Sequence, residues 1–195
     1  MNSATENPSH DLESLNAADN CALQLEWFQR LTKLYHSISE SSGLQCDTRC
    51  HARCCPKPKT PQNIADAIGH VAIMLPFERE HIIAKTGITP QQIQTIRIPF
   101  LEATHLDIGF ITNELPCPFL SSGNQCSIYE IRPLDCRSFP LIPVFQDDGT
   151  LNFRMDNDCP SVITFSSSYK DAFKQLWVEL LPHLPMSYRM TFNEL

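Results

Sequence analysis

The sequence lacks several features that would assign it to a common functional class. It has no run of 18 or more apolar residues. Its first twenty residues are polar and acidic, without the basic and apolar segments of a secretory signal. It has no Gly-rich loop of the dinucleotide-binding or P-loop kind. We therefore expect a cytoplasmic protein that does not span a membrane and does not bind a nucleotide through either motif.

An excess of basic charge is also lacking. Lysine and arginine number 15 against 22 aspartate and glutamate residues, which gives a formal net charge of −7. A nucleic-acid-binding protein normally presents a basic face. The composition therefore predicts neither a nucleic-acid partner nor a membrane partner, and it leaves a protein partner open.

Cysteine, by contrast, is abundant, with nine residues in the chain. Disulfides are rare in the cytosol, so a cysteine-rich cytosolic chain is more often explained by metal ligation. The alternatives are disulfides or buried inert thiols, which behave as small hydrophobic side chains. Neither alternative accounts well for four thiols within ten positions. Cys21 stands alone in a predicted helix, and we expect it to be an inert thiol.

The hydrophobic pattern predicts an α+β fold, a single small domain of helices and a few short strands organised around a cysteine-ligated metal centre. Apolar residues recur at helical spacing over residues 21–41, with Glu26, Arg30 and Lys33 on the polar side. The predicted segments are a disordered N-terminal arm at 1–20, an amphipathic helix at 21–43, a cysteine-cluster metal-binding domain at 44–160 and a C-terminal helical segment at 161–195.

Turn and cap residues predict the shorter elements. Proline favours the first turn of a helix, glycine its end, and an Asp-Gly pair between apolar runs a β-hairpin. The predicted elements are a helical turn at 64–68, a strand at 71–75, a helix from Pro76 to Gly87, a short helix at 89–92, one or two strands within 97–112, a hairpin turning at Asp147-Asp148-Gly149 and a helix at 168–182.

The cysteines form two blocks, CDTRCHARCC at 46–55 and a second block from 117 to 136. If the first block is helical, Cys46, Cys50 and Cys54 share a face, because residues four apart are neighbours on a helix. Cys55 would then point elsewhere and could reach a second metal. His51 is a candidate ligand, although a solvated side chain is the better expectation for it.

Charged residues accompany the thiols. Four thiolates around a divalent metal leave a net charge of about −2, which nearby cations would offset. Asp135 and Asp158 each precede a cysteine and could act as acceptors around a metal site or as a general base, but we expect turn residues that bond local backbone. The interleaved basic residues are Arg49, Arg53, Lys57, Lys59, Arg132 and Arg137.

The motifs CDTRCHARCC, CPFL and CSIYEIRPLDCRSFP, followed by a late Cys-Pro pair, resemble the YkgJ-type cysteine-cluster (CxxCxxCC) family over residues 46–160. Three residues separate successive cysteines of the first block, where the family name has two. The resemblance implies a bacterial cytosolic protein that chelates zinc or iron. The ligands it implies are Cys46, Cys50, Cys54, Cys55, Cys117, Cys126, Cys136 and Cys159.

Three functional hypotheses follow. The first is a metal-binding protein whose cofactor is zinc, iron or a 4Fe–4S cluster, since thiolates ligate all of these. The second is an iron–sulfur enzyme that modifies a protein side chain, as implied by the family's similarity to flagellin lysine N-methylases, or a redox protein. The third is an interaction module that uses the metal to hold its fold. The sequence predicts no catalytic residues, and enzymatic activity stays open.

Overall fold

The computed structural model describes residues 22, 26, 29–30, 33, 52–55, 71–76, 78–100, 105–112, 115–163 and 166–194. The predicted arm at 1–20 and the predicted turn at 64–68 lie outside these residues, as does most of the first predicted helix. The residues described in that helix, among them Glu26, Arg30 and Lys33, are helical and exposed, as predicted for its polar side. Arg30 donates a hydrogen bond to His183 Nε2 at 2.6 Å, which connects this segment to the C-terminal part.

Three strands form an antiparallel sheet in the order β1-β3-β2. The strands are β1 (Ala72–Ile73), β2 (Gln94–Pro99) and β3 (His105–Ile111). The register pairs Ala72 with Ile111 and Ile96 with Ile108. The strand predicted at 71–75 is therefore confirmed in a shorter form. Two strands lie where one or two were predicted, and the first of them begins earlier, at Gln94.

The two faces of this sheet pack against different cores. Side chains alternate along a strand, so Ile73 and Leu75 join one buried cluster while Ala72 and Met74 join the other. The second cluster also contains Ile82, from helix α1 (Glu78–Thr86), and buried side chains of the second cysteine block. We call it the cysteine-side core. The sheet therefore has the cysteine-side core on one face and the other buried cluster on the opposite face.

Helix α1 ends as predicted but begins later. Gly87 has φ of +69° and donates its N–H to Ile83 O at 2.9 Å, so it closes the helix in the left-handed conformation that glycine favours. Pro76 lies in the turn before the helix, which begins at Glu78. The short helix predicted at 89–92 is a 3₁₀ turn over Pro90–Gln92, and Thr89 N–H donates to the Gln92 side chain at 3.1 Å.

The other face of the sheet is covered by the C-terminal half, whose buried cluster we call the aromatic core. The predicted hairpin is confirmed as β4 (Leu141–Phe145) paired with β5 (Leu151–Met155). The predicted closing helix is confirmed as α3 (Ser167–Leu180), which comes after the short helix α2 (Leu134–Ser138) and before α4 (Met186–Glu194). Phe145 meets Trp177 and Phe192 edge to face, with ring centroids 6.3 and 5.2 Å apart.

Helix α2 (Leu134–Ser138) lies at the boundary between the two cores. It contacts β1 on one side and β4 on the other. Leu134 is fully buried in the aromatic core, whereas Cys136 packs against the cysteine-side core. Together these elements confirm the α+β class. None of the helices in the described residues combines the length and apolarity that a bilayer span requires.

Gly109→Ala should destabilise the protein by about 1 to 3 kcal/mol through overpacking. A methyl group at Gly109 would lie 2.5 Å from Met74 Sδ and 3.2 Å from Ile93 Cγ2, inside the cysteine-side core. Gly123→Ala is the matched control, since the nearest atom to its added methyl group is 3.8 Å away. Denaturant unfolding of both variants measures the difference, and equal midpoints would show that Met74 moves aside at no cost.

Candidate metal centre

The structure describes six of the eight predicted ligands, and all six are free thiols. Cys46 and Cys50 lie outside the described residues, as do Cys21 and His51. The six are Cys54, Cys55, Cys117, Cys126, Cys136 and Cys159.

The end of the first block is a turn. Cys55 N–H donates to Ala52 O at 3.0 Å, and Ala52 has φ of +52°, which a helix does not contain. The helical face predicted for the first block therefore does not extend through Ala52 to Cys54. Cys55 packs against the cysteine-side core, as do Cys126 and Cys136 of the second block.

Cys117 and Cys126 are brought together by a tight loop between them. Leu120 forms an antiparallel bridge with Cys126, and Ser127 N–H donates to Phe119 O at 2.8 Å. The turn passes through Asn124, whose φ of +56° is one that asparagine tolerates better than most residues. The loop thus places both thiols at its base, against the cysteine-side core.

The segment from Cys126 to Cys136 contains a fixed cation. A 3₁₀ turn over Tyr129–Ile131 leads to Arg132 and then to Pro133, after which α2 begins. Arg132 Nε donates to Tyr129 O at 3.1 Å, and its guanidinium lies 3.8 Å from the centroid of the Tyr129 ring. Both contacts come from one residue, so Tyr129 holds the guanidinium in place.

Four thiols from both blocks influence one another electrostatically. The pKa of Cys117 is raised to about 11, chiefly by burial and to a smaller extent by the charges of Cys126 and Cys54. Burial also raises the pKa of Cys126 and that of Cys136, and the charge of Cys54 adds to each. The pKa of Cys54 is in turn raised well above its ordinary value, first by a hydrogen bond in which its thiol donates to Cys55 and then by burial. Cys117 is buried in the cysteine-side core and Cys55, Cys126 and Cys136 pack against it, so thiols of both blocks lie in one region.

Arg132 opposes these increases. Its guanidinium lowers the pKa of Cys54, Cys126 and Cys136, although burial and, for Cys54, the hydrogen bond with Cys55 have larger effects in the opposite direction. A cation beside several thiols favours their thiolate forms, which are the forms that bind metals. Of the interleaved basic residues, Arg49, Lys57 and Lys59 lie outside the described residues.

Cys159 is held by a different element. It is buried directly after the β4–β5 hairpin, where its N–H donates to Asp156 O at 3.3 Å and the 3₁₀ turn Pro160–Ile163 begins. Asp158 N–H bonds the Asp156 carboxylate at 3.0 Å, so Asp158 lies in a local turn, as predicted.

Asp135 is not the local turn residue that the sequence predicts. It is 1% exposed, and its Oδ2 accepts a hydrogen bond of 3.0 Å from the Ile73 N–H in β1, 62 residues earlier in the chain. Burial raises its pKa to about 7. A buried carboxyl group immediately before a predicted ligand therefore joins the cysteine-bearing helix to the sheet.

Glu78 is a second buried carboxyl group, and it is not among the site residues predicted from the sequence. Its Oε2 accepts from Leu75 N–H at 2.7 Å and its Oε1 from Leu134 N–H at 2.9 Å. Burial raises its pKa to about 8. The bond to Leu75, three residues earlier, is local, so a glutamate at the start of a predicted helix was the available sequence signal.

An open cleft of about 590 Å³ lies beside the cysteine loop. One wall is the C-terminal end of α1, and the other is formed by residues next to Cys117 and Cys126 in the sequence. Lys85 and Glu130 line it and contribute charges of opposite sign. The lining residues adjacent to the two cysteines are Pro118, Phe119 and Ser127.

The donors fit zinc or iron in their chemistry, since both metals bind thiolates. Their arrangement is incomplete in the part of the chain that the structure describes, where no group of three or more His, Cys, Asp or Glu side chains could hold a metal ion.

Comparison with known proteins gives one match. The family model described as "CxxCxxCC: putative zinc- or iron-chelating domain" matches residues 45–160, which is more than half of the chain. No curated protein and no solved structure matches. The match confirms the resemblance seen over residues 46–160, and it contains both cysteine blocks and Cys159. The chain therefore belongs to the CxxCxxCC family.

Proposed function

We propose that the protein is a cytoplasmic zinc- or iron-binding protein whose metal is held by thiolates of the CxxCxxCC domain. The observation that carries the proposal is that free thiols of both blocks meet at the cysteine-side core, where Cys117 is buried and Cys55, Cys126 and Cys136 pack against it. Cys54 adjoins Cys55 in the sequence, and the proposal needs Cys46 and Cys50 as further donors.

The environment of these thiols favours exchange of protons for a metal. Burial raises the pKa of Cys117, Cys126 and Cys136, so that without a metal these sulfurs hold protons at neutral pH. A metal ion replaces the protons and supplies the positive charge that buried thiolates require. Arg132 offsets part of the remaining negative charge. When bound, the metal would connect the first cysteine block to the second across more than sixty residues of sequence.

Metal analysis of anaerobically purified protein, with an absorption spectrum, tests the proposal. Stoichiometric zinc in a colourless protein would support a thiolate zinc site, and a brown protein with broad visible absorption would support an iron–sulfur cluster. Protein that contains neither metal, and that takes up neither after reduction, would contradict the proposal.

The cysteines should be reduced or metal-bound in the cell. All six described cysteines are free thiols, and a cytosolic chain is kept reduced. Alkylation in freshly lysed cells followed by mass spectrometry should label them fully once the metal is removed. Four stable disulfides would refute the thiolate site and the cytoplasmic location together.

The cleft beside the cysteine loop favours a second candidate, an enzyme that acts on a side chain of another protein. Its lining residues flank Cys117 and Cys126, so a bound group would lie beside the proposed metal centre. A change in the metal's absorption spectrum on addition of a peptide containing lysine would support this function. An unchanged spectrum with a series of such peptides would contradict the enzyme candidate and leave metal binding as the only proposed function.

A further inference from the structure

Helix α2, which carries Cys136, is attached to the fold by two buried carboxyl groups. Asp135, within α2, accepts a hydrogen bond from Ile73 N–H in β1 at 3.0 Å. Glu78, at the start of α1, accepts one from Leu134 N–H in α2 at 2.9 Å. The two bonds span 62 and 56 residues of sequence. They join the cysteine-bearing helix to the sheet and to α1.

The shortness of α2 makes these bonds important. It has five residues, and an isolated helix of that length is not stable in water. The first N–H groups of any helix also lack partners within the helix. Glu78 supplies an acceptor for one of them, at Leu134, from outside the helix. The position of α2 therefore depends on its tertiary contacts and not on its own hydrogen bonds.

Three consecutive residues of α2 are directed into three different environments. Leu134 is fully buried in the aromatic core, Asp135 bonds β1, and Cys136 packs against the cysteine-side core. Successive residues of a helix are separated by a rotation of about 100°. Fixing Leu134 and Asp135 therefore fixes the rotation of α2 about its axis, and with it the direction of the Cys136 thiol.

Burial of these carboxyl groups carries an energetic cost that hydrogen bonds offset only in the right geometry. Asp135 is 1% exposed and Glu78 3% exposed. A buried polar group that has hydrogen-bond partners in only one arrangement of the helix disfavours every other arrangement. Rotation or translation of α2 would leave the Ile73 and Leu134 N–H groups buried without these acceptors.

We propose that Asp135 and Glu78 are positioning residues for the metal centre, which hold α2 so that the Cys136 thiolate is directed at the other thiolates. The inference rests on the proposed function and adds two residues that do not ligate. Neither carboxyl group contacts the metal; each acts through the backbone of the segment that carries Cys136. Their removal should alter the metal site itself and not only the stability of the fold.

Cobalt substitution measures this effect without relying on any activity. Co²⁺ bound by thiolates gives sulfur-to-metal charge-transfer bands and d–d bands that report ligand number and geometry. Reduced full-length protein is titrated with Co²⁺, and affinity is measured by competition with a chelator. The variants are Asp135→Ala, Asp135→Asn and Glu78→Gln. The control is Leu176→Ala, which removes a side chain buried in the aromatic core.

Asp135→Ala should bind Co²⁺ about 10- to 100-fold more weakly, with altered d–d bands, as expected when groups that orient metal ligands are removed. Asp135→Asn keeps a carbonyl acceptor for Ile73 N–H and should restore the wild-type spectrum and most of the affinity. Glu78→Gln keeps one of the two acceptor oxygens, so its Co²⁺ affinity should lie between those of Asp135→Ala and Asp135→Asn. Leu176→Ala should lower the unfolding midpoint but keep the wild-type spectrum and affinity.

Two results would overturn the inference, and they are distinguishable. If the wild-type protein binds Co²⁺ without charge-transfer bands, the proposed thiolate site fails and the inference fails with it. If the wild type shows the bands, and Asp135→Ala and Glu78→Gln keep its spectrum and affinity, the carboxyl groups serve stability alone and the proposed function stands. Should Asp135→Ala not fold, as judged by circular dichroism, the Glu78→Gln result decides.

Discussion

Cys126→Ser and Cys136→Ser are each expected to lose most of the bound metal and to unfold at a much lower temperature than the wild-type protein. The two thiols lie at either end of the segment that holds Arg132, and both interact with Cys54. Structural zinc contributes on the order of 10 kcal/mol or more, which is comparable to the whole stability of a domain. Losing one of four thiolates should therefore affect the whole fold, with less cooperative melting and easier removal of metal by chelators.

Cys21→Ser is the matched control for these variants. Cys21 stands outside both cysteine blocks, and serine is nearly isosteric with cysteine, so a buried inert thiol should lose only a modest amount of stability. Metal per chain should be measured anaerobically before and after treatment with a chelator. Full occupancy and unchanged melting in both Cys126→Ser and Cys136→Ser would show that the second block does not ligate the metal and would favour buried inert thiols.

Elements with local signals could be predicted from the sequence. Gly87 and Gly149 both adopt positive φ, at the end of α1 and in the hairpin turn, where the glycine rules placed them. Helix α3 has a clear apolar stripe, and Phe173, Leu176, Trp177 and Leu180 are all buried. In these cases a few neighbouring residues determine the conformation, so tertiary structure was not needed to find it.

Helices α2 and α4 were not identified individually because their local signals are weak. In α4, Tyr188 and Phe192 are buried at a spacing of four, but Met186 and Met190 repeat the same spacing and are 56% and 58% exposed. Apolar residues on two faces obscure the single stripe that identifies an amphipathic helix. Helix α2 has only five residues, too few for any periodicity to appear.

The cysteine blocks could be found from the sequence, whereas the buried carboxyl groups that bond the backbone around Cys136 and β1 could not. Spacing and family resemblance identified both blocks, but Asp135 was assigned to a local turn because aspartate often bonds nearby backbone. Its observed partner, Ile73, is 62 residues away. Glu78 likewise reaches Leu134 across 56 residues. Such partners depend on how the sheet and helices pack, and no short sequence window contains that information.

The stability of the protein should fall as the pH rises from about 4.5 to about 8, and Glu78 should account for much of this fall. Burial raises the pKa of Glu78 from its ordinary value of 4.5 to about 8 in the folded protein. Between these values the folded state keeps a proton that the unfolded chain has released, so each step in pH favours unfolding. At about 1.4 kcal/mol per pH unit, the change amounts to roughly 3 to 5 kcal/mol.

Glu78→Gln should remove this part of the pH dependence, because the amide does not titrate. The variant will be less stable at low pH, since its amide offers one acceptor for the two N–H groups of Leu75 and Leu134. The stability of the variant should still fall as the pH rises, but less steeply, because burial raises the pKa of Asp135 to about 7. Denaturant unfolding of the reduced, metal-free proteins from pH 5 to 8.5 measures the difference between them at each pH, so that contributions common to both cancel. Glu80→Gln, which changes a partly exposed glutamate of the same helix, should follow the wild-type curve. Parallel curves for the wild type and Glu78→Gln would mean that Glu78 is ionised in the folded protein throughout this range and that its two backbone hydrogen bonds outweigh the cost of its burial.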